Sequence, residues 1–347
     1  MRFRRTFDAL VDRIRPPEPR PLILMYHRIA NEPADPWGLA VSPAHFEEQL
    51  LVLRRTRRPV PLTEFVRHLA AGRLHPSAVA MTFDDGYADN LFAARPRLAA
   101  ADVPATVSLA TGFLDRRGEF WWDELARLFL LRDVPRSFEL VVRGRAMHFD
   151  FGADPPGRDR EGWRAWSVPS TRRQAAYVAV WDCLRRLEEE EREALMIEVR
   201  SKMSKRDRSS GSGRPMTRAE VGALLTDGLV TIGAHTVSHP LLTRQQTAIR
   251  HFEILESKAV CETLLGGPVA AFAYPYGDVD AQVRTAVAGA GFACGCATTN
   301  GPATASSDIF ALPRIQVLDW DGDAFERALR SASAGVQAQA NFSNRRR

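Results

Sequence analysis

Short apolar runs that stop abruptly on polar residues recur along the chain, at residues 22–27, 79–83, 105–110, 229–234 and 270–274. Each is too short for an ordinary helix and nearly uninterrupted, the pattern of strands buried on both faces of a parallel sheet. Helical periodicity lies between them. Ser42 caps a helix that begins at Pro43, residues 63–69 and 89–101 form others, and Thr217 opens one that ends at Gly228. Alternation of this kind predicts an α/β fold with parallel pairing. From residue 112 to 214 the pattern changes. Aromatics at 120–122 lead into a helix, residues 138–151 read as a hairpin, and residues 171–203 are strongly helical with a Glu188 to Glu191 run on the exposed face. Residues 209–213, Ser-Ser-Gly-Ser-Gly, have the composition of a flexible linker. A connection of roughly 100 residues is too long for a simple loop and reads as an inserted cap over the mouth of the fold.

In open α/β sheets the carboxyl ends of the strands carry the chemistry, because loops there are held by a rigid sheet and face a crevice. The 79–83 strand ends on Asp84 and Asp85, followed by Gly86, which permits a sharp turn. Adjacent carboxylates repel each other unless a cation or a shared proton relieves them, although Asp-Asp-Gly also occurs as a plain polar turn. The 229–234 strand ends on His235, and His239 follows four residues later. On one face of a helical turn both imidazoles would reach a single ion. Asp85, His235 and His239 together form an Asp-His-His set with open coordination positions, the pattern of a catalytic rather than a structural metal.

Thr82-Phe83-Asp84-Asp85-Gly86, then His235 and His239, then Ala273-Tyr274-Pro275-Tyr276-Gly277, in that order, resemble the NodB-homology polysaccharide deacetylases of carbohydrate esterase family four. The resemblance covers residues 21–111 and 215–320. It implies a distorted (β/α) barrel with a large α-rich insertion, removing N-acetyl groups from amino-sugar residues of a polysaccharide, oligosaccharide or lipid-linked glycan. It further implies that Asp84 is the base, that Asp85, His235 and His239 hold a divalent metal with zinc the first choice, and that Pro275 and Tyr276 line the substrate groove. The Tyr276 N–H would face the oxyanion. In the bacterial branch that opens with Met25-Tyr26-His27, His27 is the proton donor to the departing amine; a structural histidine at the barrel rim is the alternative. Ala273 stands where the family usually has an arginine that orients the base, and Arg314, in Leu312-Pro313-Arg314, is the expected substitute. Trp122 and Asp123 suit sugar recognition, since aromatic faces pack on pyranose C–H groups and a carboxylate accepts from hydroxyls; tryptophans at a helix start equally suit a core.

Composition narrows the class. The chain has 347 residues, 45% hydrophobic and 26% charged, with a formal charge of +5. Its arginines are scattered, so no nucleic-acid partner is expected. Four cysteines form no CxxC pair, which fits a reducing compartment. Residues 1–20 are basic without an apolar run of signal-peptide length, so a cytoplasmic protein is expected. Phe3, Phe7, Leu10, Val11 and Ile14 share a helical face that would either lie on an anionic membrane as a peripheral anchor or pack on the barrel. The expected organisation is a basic segment at 1–20, a barrel from 21–111 and 215–330, a cap at 112–214 and a basic tail at 331–347. His45 and His68 are expected on the surface. The rival functions are a catalytically inactive carbohydrate-binding module, an amide hydrolase with a non-sugar substrate, and an adaptor acting through the terminal arginines.

Overall fold

The computed structural model describes residues 19–131, 135–151, 162–203 and 213–335. The amphipathic face from Phe3 to Ile14, the arginines at the C-terminus and the linker up to residue 212 lie outside these described residues.

Eight strands form one sheet: β1 (Leu22–Tyr26), β2 (Arg58–Pro59), β3 (Ala78–Phe83), β4 (Ala105–Leu109), β5 (Val230–Ala234), β6 (Ala271–Ala273), β7 (Cys294–Cys296) and β8 (Ile315–Gln316). The order is β7-β6-β5-β4-β3-β1-β8, with β2 beside the start of β3, and every pairing is parallel. A parallel bridge between Cys296 and Leu312 draws the two edges of the sheet toward each other. The result is a distorted barrel with helices outside. Every residue of β1 and β3 is buried, as expected for strands covered on both faces. Leu24, Met81, Phe83, Val107, Ile232 and Phe272 contribute to the main core, so the strand ends are fixed in position by packing.

The helices follow the expected signals with informative departures. Ser42 accepts from the His45 N–H to cap Pro43–Thr56, and Thr217 and Glu220 form a reciprocal capping box on Arg218–Leu224. His45 and His68 are partly exposed and pair with Asp319 and Glu64 respectively. The helix expected over 89–101 begins as a π-helical turn, Asn90–Ala94, before becoming α-helical at Arg95–Ala101. Pro96 lacks an N–H for the regular ladder, and the widened turn accommodates that. The helical stretch expected over 171–203 is present as two helices, Arg172–Leu184 and Glu189–Met203. The glutamate run is the cause: Glu189 to Glu191 occupy the first turn of the second helix, where carboxylates meet the positive end of the helix dipole. The expected hairpin is present as Ser137–Val142 paired antiparallel with Arg145–Asp150.

Residues of the inserted region build a second core around Phe120, Trp121, Leu125, Phe129, Tyr177, Trp181 and Met196. This core also takes in Trp37, Leu39 and Tyr87 from the barrel's loops, so the insertion is seated on the barrel mouth. None of the described helices is long and apolar enough to cross a membrane.

Candidate active site

The carboxyl ends of β1, β3, β5 and β6 deliver His27, Asp84 with Asp85, His235 with His239, and Tyr274 with Tyr276 to one cleft. Met25, Trp37, Leu39, Trp122, Trp181 and Thr298 complete its walls. Asp85 is the centre of the polar floor. Its Oδ1 lies 3.3 Å from His235 Nε2 and 3.4 Å from His239 Nε2, and has no hydrogen-bond partner among the described residues. The ligand atoms of the three side chains lie within 4.8 Å of one another, and all three residues are buried. A buried carboxylate oxygen left unmatched between two imidazole nitrogens is the donor set a small divalent cation satisfies, so the residues fit the metal that the sequence implies.

Second contacts aim the ligands. His235 Nδ1 is 2.8 Å from the Ala273 carbonyl, which fixes the N–H on that nitrogen and leaves Nε2 free to ligate. Burial pushes the His239 imidazole down to about 3 against the pull of Asp85, so it rests neutral, as a ligand must be. Burial also opposes charge on His235, but the facing Asp85 carboxylate and the nearby Asp84 raise it overall.

The segment carrying the histidines is not the helical turn expected from their spacing. Residues 235–240 are irregular, and Thr236 and His239 have φ of 66° and 57°. The loop is held instead by Glu253, whose carboxylate accepts from the N–H groups of Val237 (2.7 Å) and Ser238 (2.9 Å) and from the Ser238 hydroxyl (2.6 Å). Arg192, from the inserted helix, donates to the Ser238 carbonyl at 3.0 Å. Asp85 and Tyr276 are also left-handed, with φ of 73° and 58°. Four non-glycine residues in that region around one cleft are backbone strain concentrated where the ligands converge.

Asp84 is clamped from beneath. Arg314 donates from Nη1 to Oδ1 at 2.8 Å and from Nη2 to Oδ2 at 2.6 Å. The guanidinium is itself rooted by bonds to the Ala297 carbonyl (2.9 Å) and Thr82 Oγ1 (3.1 Å) and is 1% exposed. Burial alone would raise the Asp84 carboxyl; Arg314, His235 and His27 hold it well below its ordinary value. His27 lines the cleft, and burial lowers it against the pull of Asp85 and Asp84. Its backbone carbonyl accepts from Asn90 Nδ2 at 2.8 Å.

Trp122 is a wall of the cleft, its ring 4.8 Å from that of His239 and its Nε1 donating to the Tyr87 hydroxyl at 2.6 Å. Asp123 does not line the cleft. Its carboxylate accepts from the Tyr87 hydroxyl at 2.8 Å and faces Arg28, so it supports Trp122 from behind instead of meeting substrate. Pro275 is buried beneath the same loop as Tyr276 and likewise does not line the cleft. Trp37 and Trp181 were missed by sequence reasoning; Trp37 follows Asp35-Pro36 in an irregular loop and Trp181 sits mid-helix, positions that carry no motif.

A family model described as polysaccharide deacetylase matches residues 183–295. That stretch contains His235, His239 and Tyr276, and the fold brings Asp84 and Asp85 to them. The matched stretch is about a third of the chain and is similar to a polysaccharide deacetylase domain. Solved structures agree on the architecture. The Streptococcus pyogenes deacetylase PplD, in complex with acetate, is similar with a TM-score of 0.57 at 19% identity, over 90% of this chain and 99% of that one. IcaB from Ammonifex degensii has a TM-score of 0.55 at 16% identity, over 91% and 97%. A de-N-acetylase from Aggregatibacter actinomycetemcomitans has 0.54 at 13%, over 89% and 99%. No curated protein matches the chain. The fold is thus a distorted barrel of parallel strands, part of which matches a polysaccharide deacetylase family model.

Proposed function

We propose that the protein removes the acetyl group from an N-acetylated amino-sugar residue of a glycan, with Asp84 as base and Asp85, His235 and His239 as metal ligands. The observation that carries this reading is the pairing of two neighbouring aspartates in opposite environments. Asp84 is clamped by a guanidinium, whereas Asp85 presents an unmatched oxygen between two imidazoles. A divalent ion, zinc by the donor set, supplies Lewis acidity to the acetamide carbonyl and acidifies the attacking water. Asp84 is ionised and keeps free lone pairs beside its bonds to Arg314, so it accepts the proton of that water. His27 rests neutral and conveys the proton to the departing nitrogen, which leaves as an amine while the acyl carbon leaves as acetate. Tyr276 and Trp122 hold the ring being deacetylated, and the Tyr276 N–H serves the oxyanion.

Acetate release from N-acetylated monosaccharides, oligomers and lipid-linked sugars, with chelator and after zinc is restored, tests the reading. Loss with chelator and recovery with zinc is the expected result; release that chelator does not touch overturns it. A cytoplasmic location, with the basic segment at residues 1–20 resting on anionic membrane, is a separate part of the proposal. Its support is the apolar face from Phe3 to Ile14 between arginines. Salt-sensitive sedimentation with anionic vesicles that truncation of residues 1–18 abolishes is the expected result.

A further inference from the structure

The walls of the cleft include a run of aromatic side chains in contact with one another, and the inserted region supplies Trp122 and Trp181 to it. Aromatic rings follow one another along one side of the cleft, with the ligand His239 among them. Trp37 lies 4.1 Å from Trp181, Trp181 lies 5.8 Å from Tyr276, Tyr276 lies 4.5 Å from His239, and His239 lies 4.8 Å from Trp122. Those rings come from the loop after β1, the two inserted helical segments and the loops after β5 and β6, which are spread around the barrel. The loop carrying Trp37 is fixed across the remaining edge, because Gln316 of β8 donates to the carbonyls of Trp37 (2.9 Å) and Gly38 (3.1 Å). Trp37 also donates from Nε1 to the Tyr177 hydroxyl at 2.8 Å, tying that loop to the inserted helix that bears Trp181.

The consequence is a pit, not a trough. Trp37, Trp122 and Trp181 are only 5–6% exposed although they line the cleft, and Asp84, Asp85, His235 and His239 are 2–6% exposed. The cavity at the floor of the cleft is narrow, about 50 Å³. A glycan deacetylated in mid-chain must leave the site on both sides of the reacting ring, so it needs two exits across the barrel mouth. An aromatic wall running from Trp37 to Trp122 obstructs one of them. A ring at the end of a chain needs only one exit.

Resting on the deacetylase reading, we propose that Trp181 and Trp37 make this enzyme selective for a terminal N-acetylated amino sugar, one ring inserted into the pit and the rest of the glycan outside. Trp181 is the specificity-determining residue. It touches neither the metal ligands nor Asp84, but it joins the insertion to the barrel loop and closes the wall.

The test uses the full-length zinc-loaded protein and a homopentamer of N-acetylglucosamine isotopically labelled at its reducing end. Mass-spectrometric sequencing of singly deacetylated products locates the free amine. The wild type is expected to place it on a terminal ring. Products deacetylated chiefly at internal rings overturn the proposal while leaving the deacetylase reading intact. Absence of acetate release from the pentamer and from the monomer overturns both. Trp181→Ala is expected to raise the internal-to-terminal ratio by about tenfold or more, the scale on which apolar pocket walls discriminate. A variant that keeps its zinc, measured by elemental analysis, yet gives the wild-type map removes Trp181 from the role. If Trp181→Ala fails to fold, the wild-type map alone decides the terminal selectivity and Trp181→Leu decides the residue.

Discussion

Asp84 and Asp85 are neighbours in sequence with opposite surroundings, and that difference is the basis for dividing their roles. Asp84→Asn is expected to keep stoichiometric zinc and lose turnover by orders of magnitude, because the amide still fills the site but accepts no proton. Asp85→Asn and His239→Ala are expected to lose zinc itself, since each removes one donor of three. Elemental analysis beside acetate release separates the cases, and equal zinc in all three variants would refute the division. Arg314 provides the pH test. Asp84 is held below its ordinary value and must be ionised to act, so wild-type activity from this group persists as pH falls until its depressed pKa is reached. Arg314→Lys retains a charge but not the paired bonds, so the Asp84 pKa rises and the acidic limb of the rate profile moves to higher pH. Arg314→Ala moves it at least as far and also leaves Asp84 buried and unpaired, a loss of about 3–5 kcal/mol of stability. An unmoved acidic limb in the lysine variant would remove Arg314 from the site. The ligand set was legible in the sequence because strand ends and histidine spacing leave local traces. The place of Arg314 was legible only through Ala273, where an arginine was expected and absent. Asp123 was misplaced because nothing in the sequence says which way a helix's first turn faces.

At the scale of elements, the loop from His235 to His239 departs most from its local pattern. An i, i+4 spacing suits a helix, yet here the convergence depends on Glu253 and Arg192, which lie far along the chain and left no sequence signal. Strand identity was readable because buried parallel strands are apolar throughout; loop conformation was not, because it is dictated by tertiary partners. If these partners hold the loop, Glu253→Gln is expected to weaken zinc affinity by about 10–100-fold, the usual cost of losing an outer contact of a metal site. Arg192→Met is expected to act in the same direction through the Ser238 carbonyl. Arg143→Ala, which breaks only an exposed pair with Glu191, serves as the control and should bind zinc as the wild type does. Competition against a chromogenic chelator measures all three. Unchanged affinity in both loop variants would mean that the strained backbone needs no outside support.

For the molecule as a whole, the open question is whether the inserted region is a separate body or part of one cooperative unit. Its core includes Trp37, Leu39 and Tyr87 from the barrel loops, and Arg192 and Trp122 connect it to the metal loop. Such shared contacts favour unfolding of the two regions together, and that is the expected outcome. The distribution of tryptophan makes this measurable. Of seven tryptophans, Trp121, Trp122, Trp163, Trp166 and Trp181 lie in the inserted region. Fluorescence therefore follows the insertion, whereas far-ultraviolet circular dichroism follows the whole chain, barrel included. The two melts are expected to coincide. Zinc binds the folded site, so at a free concentration near one hundred times Kd it adds about 2.7 kcal/mol and moves both melts upward together, by about 5 °C. In His239→Ala neither should respond to zinc. A fluorescence transition that comes first and ignores zinc would show that the insertion unfolds independently of the site it borders. It would also leave the aromatic wall without the rigidity that terminal selectivity requires.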